Sequence, residues 1–90
     1  MIKTYCELLH KIKEALKDAE KELGSEYTLC FHGFYGPPKI SLYTYPFIDV
    51  SRNKMIHKDG WDLEYFTDQV PEEIAIKAAE ILESRFKEKE

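Results

Sequence analysis

Cysteine and histidine fall in two close pairs along this chain. Cys6 and His10 stand four residues apart, and Cys30 and His32 stand two apart. A spacing of four puts two side chains on one side of a helix, and a spacing of two puts them on one face of a strand. Two such pairs make up the donor set of a Cys2His2 zinc site. A thiol beside an imidazole is also the smallest nucleophile–base pair, and His57 adds a second imidazole to Cys30 and His32. Neither chemistry is completed by the rest of the chain. No GxSxG elbow is present, and the glycines at 24, 33, 36 and 60 form no phosphate-cradling loop. Two cysteines without CxxC spacing read as free thiols of a reducing compartment. The expectation is no catalytic residue, no metal and no cofactor, hence no enzyme.

A second group of residues carries charge and aromatic rings together. The stretch "KDGWDLEYFTDQVPEE", residues 58–73, holds the only tryptophan and six carboxylates, with no cation after Lys58. Its end, "VPEE", is explained by a helix start, because Pro71 suits the first helical position and Glu72 and Glu73 complement the helix dipole. The front has no such structural need. Asp59, Asp62, Glu64 and Asp68, interleaved with Trp61 and Tyr65, therefore form a candidate partner-binding patch: carboxylates would steer encounter with a basic surface, and aromatics would hold it. Reversing Asp62 and Glu64 to lysine is expected to weaken partner capture with little change in melting temperature.

These residues need elements to position them. Ile2, Tyr5, Leu9, Ile12, Leu16, Ala19 and Leu23 recur at steps of three and four, which predicts a helix over 2–23 ended by Gly24. Strands are expected over 26–34, 39–45, 47–51 and 54–58, with Gly36-Pro37-Pro38 breaking the first pair and Arg52-Asn53 as a hairpin turn. Residues 59–70 read as an acidic loop. Ile74, Ala78, Ile81, Leu82 and Phe86 make the apolar stripe of a helix over 71–87. The fold class is α+β: a helix, a three- or four-stranded antiparallel meander and a helix in a single domain over 1–90. Both helices bury their stripes on one sheet face, against Leu29, Phe31, Ile40, Leu42, Ile48, Val50 and Ile56. The opposite face stays open, and His32, Tyr43, Tyr45 and His57 lie on it as a second candidate surface, with Thr28, Cys30 and Ser41. The zinc pairs then fall on opposite sides of the sheet.

The stretch "AIKAAEILESRF", residues 75–86, together with the order helix, strands, helix, resembles the double-stranded-RNA-binding domain. The resemblance covers the element order of most of the chain and one stretch of sequence. It implies three antiparallel strands and phosphate contacts from lysines opening the second helix. The matching positions here are Glu72 and Glu73, which repel phosphate.

Charge adds to that picture. Residues 59–90 carry net −6, residues 25–58 net +2 and residues 1–24 net zero, for −4 in all. Nucleic acid is thus disfavoured as a partner. No apolar run approaches the ~20 residues of a membrane span, and the charged N-terminus is unlike a signal peptide, so a cytoplasmic protein without a membrane role is expected. The functional expectation is a small non-enzymatic protein-binding domain, monomeric or homodimeric. It would act as an inhibitor or adaptor docking on a basic surface of a protein partner. In general character it is similar to phage-encoded inhibitors of nucleic-acid-handling host systems. The alternative is a nucleic-acid or small-ligand binder that uses the open aromatic sheet face with Arg52, Lys54 and Lys58.

Overall fold

The computed structural model describes residues 5–32, 37–46 and 52–87. Helix α1 spans Tyr5–Leu23, strands β1 to β4 span Tyr27–His32, Lys39–Thr44, Asn53–Lys58 and Trp61–Phe66, and helix α2 spans Glu72–Lys87. The α+β class holds, with α1 packed on α2 and β1. Helix α1 buries Ile12, Leu16, Ala19 and Leu23 of the stripe read from its period, with Ala15 beside them. Gly24 ends it at φ +111°, and its N–H donates to the carbonyl of Glu20 at 3.0 Å. In α2 the inward set is Ala75, Ala78, Ala79 and Leu82, with Ile74, Ile81 and Phe86 partly buried beside it. The expected strand over 47–51, with Ile48 and Val50, lies outside the described residues. No helix among the described residues is long and apolar enough to cross a membrane.

The sheet departs from an antiparallel meander. Its order is β1-β2-β4-β3, and β2 pairs with β4 in parallel, Ile40 opposite Leu63 and Leu42 opposite Tyr65. The same finding corrects the acidic loop over 59–70, since half of that segment is a central strand. The physical reason lies in "WDLEYF". Its alternation is strict, and Trp61, Leu63 and Tyr65 are buried while Asp62, Glu64 and Phe66 lie on the other face. Those three large inward residues suit a strand flanked on both sides. The inward set of β3 is Lys54, Ile56 and Lys58, which register opposite Tyr65, Leu63 and Trp61. Two lysines on the inner face belong at an edge, where their ends can reach water and where charge discourages pairing with another chain. Lys58 Nζ indeed reaches Glu83 of α2 at 3.4 Å. The fourth strand and the parallel pair also set this sheet apart from the three-stranded meander that the double-stranded-RNA-binding resemblance implied.

The hairpin turn sits elsewhere than expected. Asn53 opens β3, and the tight connection is Asp59-Gly60 between β3 and β4, with Lys58 opposite Trp61. Gly60 has φ +96°, a backbone conformation that glycine adopts without a steric penalty.

The other edge, β1, is covered differently. The backbone N–H of Leu29 donates to Glu20 Oε2 of α1 at 2.7 Å. A helix carboxylate thus takes an edge donor that would otherwise offer itself to a foreign strand.

Candidate functional site

Both helices pack on one side of the sheet, and among the described residues no element covers its other side. The antiparallel register of β1 with β2 sets Cys30 opposite Ser41, Thr28 opposite Tyr43 and His32 opposite Lys39. The parallel register adds Asp62 and Glu64 beside Lys39 and Ser41, and β3 brings His57 opposite Asp62 and Met55 opposite Glu64. The two surfaces read separately from the sequence therefore become one. Asp62 and Glu64 join His32, Tyr43, Tyr45 and His57 on the open face.

Other members of the acidic patch part company with it. Trp61 is 5% and Tyr65 3% exposed, and Trp61 packs on Phe86 with ring centroids 5.6 Å apart. They are core residues and offer no rings for docking, which corrects their place in the partner-binding patch. Period two explains it: in a strand, the residues between the acids face the opposite way. Asp59 is exposed in the hairpin turn, and Asp68 is exposed in the β4–α2 connection.

At the centre of the open face stands a hydrogen-bonded cluster. Ser41 is 4% exposed, and its hydroxyl donates to Glu64 Oε1 at 3.2 Å. Its Oγ also lies 2.8 Å from His32 Nε2. A serine hydroxyl has one proton. Given to Glu64, that proton leaves Ser41 as acceptor, so His32 must carry its hydrogen on Nε2. Glu64 receives two further donors, Lys39 Nζ at 3.3 Å and the Asn53 side-chain amide. At the margin, His57 Nδ1 lies 2.9 Å from Asp62 Oδ1.

The order of this cluster decides what it can do chemically. In a serine hydrolase the imidazole takes the serine proton and the carboxylate orients the imidazole. Here the serine stands between imidazole and carboxylate, which is not the order of that triad. Cys30 is half-buried nearby, and its thiol lies 3.9 Å from the carbonyl oxygen of Phe31, a backbone contact rather than an imidazole one. For metal, His10 lies exposed on α1 paired with Glu14 at 3.4 Å, away from Cys30 and His32, and the Cys6 side chain is outside the description. No group of three or more His, Cys, Asp or Glu side chains among the described residues is placed to hold an ion.

A shallow groove of about 310 Å³ crosses the face between Cys30, His32, Ser41, Tyr43, Tyr45, Glu64 and Phe66. Tyr45 is 71% exposed, and its ring meets that of Tyr43 edge-on, with centroids 5.7 Å apart and planes at 71°. The hydrogen bond from Tyr43 to Tyr45, reinforced by partial burial, pushes the Tyr43 phenol up from 10.0 to about 12. A raised native value means that the folded state holds the proton more tightly. Its contribution to stability is therefore complete below pH 10 and is lost as pH rises towards 12. With ring carbons labelled, the Tyr43 resonance is expected to titrate about two units above a free tyrosine. Tyr45→Phe is expected to bring it back towards 10; an unchanged midpoint in that variant would remove the hydrogen bond as the cause.

Sequence reasoning had placed Cys30, His32, Ser41, Tyr43, Tyr45 and His57 on this face. It missed Lys39, Asn53 and Phe66, and it set Glu64 in a loop. The unused signals were the strict alternation of "WDLEYF" and the Asp-Gly pair before it, which together announce a hairpin strand. No protein-family model, curated protein or solved structure matches this chain.

Proposed function

We propose that this chain is a non-enzymatic protein-binding domain, an inhibitor or adaptor that docks its open sheet face on a basic surface of a partner protein. The observation that carries this reading is Tyr45, 71% exposed and braced edge-on by Tyr43, on the same uncovered face as Asp62 and Glu64. Tyrosine is enriched in interfaces because it brings much area at little entropic cost, and it is a frequent hot-spot residue. Tyr43 and Tyr45 thus take the anchoring role that the sequence had given to Trp61 and Tyr65. Asp59 and the net charge of −4 favour approach to a basic partner and oppose approach to nucleic acid. The serine-centred proton order supports the non-enzymatic reading. Action in the cytoplasm, as a monomer or homodimer, completes the proposal.

A second reading is favoured by the groove itself, which at about 310 Å³ matches the smallest small-molecule sites. One experiment tests the docking reading. The chain is used to capture partners from host extract and eluted across a salt gradient, beside Tyr45→Ala. The variant is expected to lose retention of the captured protein at least tenfold, about 1.4 kcal/mol, with the fold kept and only a small fall in melting temperature, because the ring is exposed and gives up just its contact with Tyr43. Retention equal to that of the unaltered chain would remove the open face as the docking surface. Retention abolished by nuclease treatment would transfer the role to nucleic acid.

A further inference from the structure

We infer that the groove beside Tyr45 is an arginine-anchor site, which takes the guanidinium of one arginine side chain projecting from the partner protein. This rests on the docking reading above and names the group that the open face would hold.

The first argument is size. Four strands of six residues, spaced about 4.8 Å apart and rising about 3.3 Å per residue, present a sheet face of roughly 400 Å². A standard interface takes about 800 Å² from each partner, so a partner docked here must reach into the groove or engage surface beyond the sheet. The groove holds about 310 Å³, room for a projecting side chain rather than a second sheet.

The second argument is the chemistry of the lining. Tyr43, Tyr45 and Phe66 supply rings and Glu64 supplies a carboxylate at one place. Ring faces carry negative potential and attract cations. Guanidinium is planar and weakly hydrated, so it can lie against a ring and still donate in its plane to a carboxylate. A compact, strongly hydrated ammonium gains less from the same walls. The charged side chain lining the groove is the Glu64 carboxylate, which suits a cation rather than phosphate.

The third argument is that the carboxylate already holds an exchangeable cation. Lys39 Nζ stands 3.3 Å from Glu64 Oε1, on a side chain 45% exposed, whereas the glutamate side chain is 12% exposed. A half-exposed lysine pair of this kind is weakly held. An incoming guanidinium replaces Lys39 at Oε1 and leaves one cation on the carboxylate as before. Ser41 and Asn53 keep the carboxylate aimed throughout. The contact with the rings is what the exchange gains.

The test uses the full chain, nitrogen-15 labelled, titrated with the peptide acetyl-Gly-Arg-Gly amide and with its lysine and citrulline counterparts. The arginine peptide is expected to give saturable shifts at the amides of Tyr43, Tyr45, Glu64 and Phe66. The lysine peptide should bind at least fivefold more weakly, and the uncharged citrulline peptide should give none. Glu64→Gln, which keeps the shape and an acceptor, should weaken the arginine peptide at least tenfold, with the undisturbed spectrum of the remaining residues reporting that the variant is folded. Equal affinity for lysine and arginine, arginine binding indifferent to Glu64→Gln, or no saturable shift would each overturn the site. Capture of the partner keeps the two ideas apart. If Tyr45→Ala loses the partner and Glu64→Gln does not, the docking face stands and the arginine site falls; if Tyr45→Ala keeps the partner, the docking face itself falls.

Discussion

Trp61→Ala is expected to destabilise the domain by about 3–5 kcal/mol, the usual cost of removing a fully packed aromatic side chain. At roughly 4–8 °C per kcal/mol for a domain of this size, the melting temperature should fall by about 12–40 °C. The prediction follows from position. Trp61 begins the central strand β4, is 5% exposed, and lies against Phe86 near the end of α2 with ring centroids 5.6 Å apart. It therefore ties the last turns of α2 to the sheet. Small domains carry only about 5–15 kcal/mol of stability, so much of the margin would go with one ring. Thermal melting followed by far-ultraviolet circular dichroism checks it. A fall of less than about 5 °C would mean that Trp61 is not a core residue, and it would return the ring to the role of an exposed anchor. The two roles give opposite patterns: an anchor loses binding and keeps stability, whereas a core residue loses stability first.

That contrast shows where sequence reasoning succeeds and where it stops. The helix periods were legible because each helix has one wet face and one dry face, and the buried positions of α1 repeat every three or four residues. The inward residues of β1 and β2, Leu29, Ile40 and Leu42, were legible for the corresponding reason with period two. Strand order was not legible. Order depends on which strands bury enough on their inner face to occupy the centre, a comparison among strands that no single segment displays. Lys54, Ile56 and Lys58 against Trp61, Leu63 and Tyr65 settle it in favour of β4, and the chain then crosses to lay β4 parallel to β2. The acidic residues of β4 misled for a related reason. Two carboxylates beside a tryptophan look like a surface feature when counted along the chain. Split by face, they separate into Trp61 inside and Asp62 and Glu64 outside. The open aromatic face was legible as a face, since Tyr43 follows Ser41 at period two. Its polar centre was not, because the partners of Glu64 come from β2 and β3 at sequence separations of 23 and 11 residues for Ser41 and Asn53.

The partners of Glu64 also divide a pair of substitutions that look equivalent in the sequence. Asp62→Lys is expected to change stability by no more than about 1 kcal/mol. Its carboxylate pairs with His57, whose side chain is 74% exposed, and exposed pairs contribute little. Glu64→Lys is expected to cost about 2–4 kcal/mol, roughly 8–32 °C in melting temperature. The glutamate is 12% exposed and accepts from Ser41, Lys39 and the Asn53 amide. A lysine there strips the buried Ser41 hydroxyl of its acceptor, leaves the Asn53 amide facing a donor, and sets two ammonium groups together where one salt bridge stood. The expectation that reversing both acids would spare stability is therefore narrowed to Asp62. Melting curves of the two single variants check the division; equal shifts would show that the cluster around Glu64 holds no more energy than a solvated ion pair. The outcome governs any binding measurement on this face. A loss of partner capture in Glu64→Lys would mix unfolding with lost contact, whereas the same loss in Asp62→Lys or Tyr45→Ala would report on the surface itself.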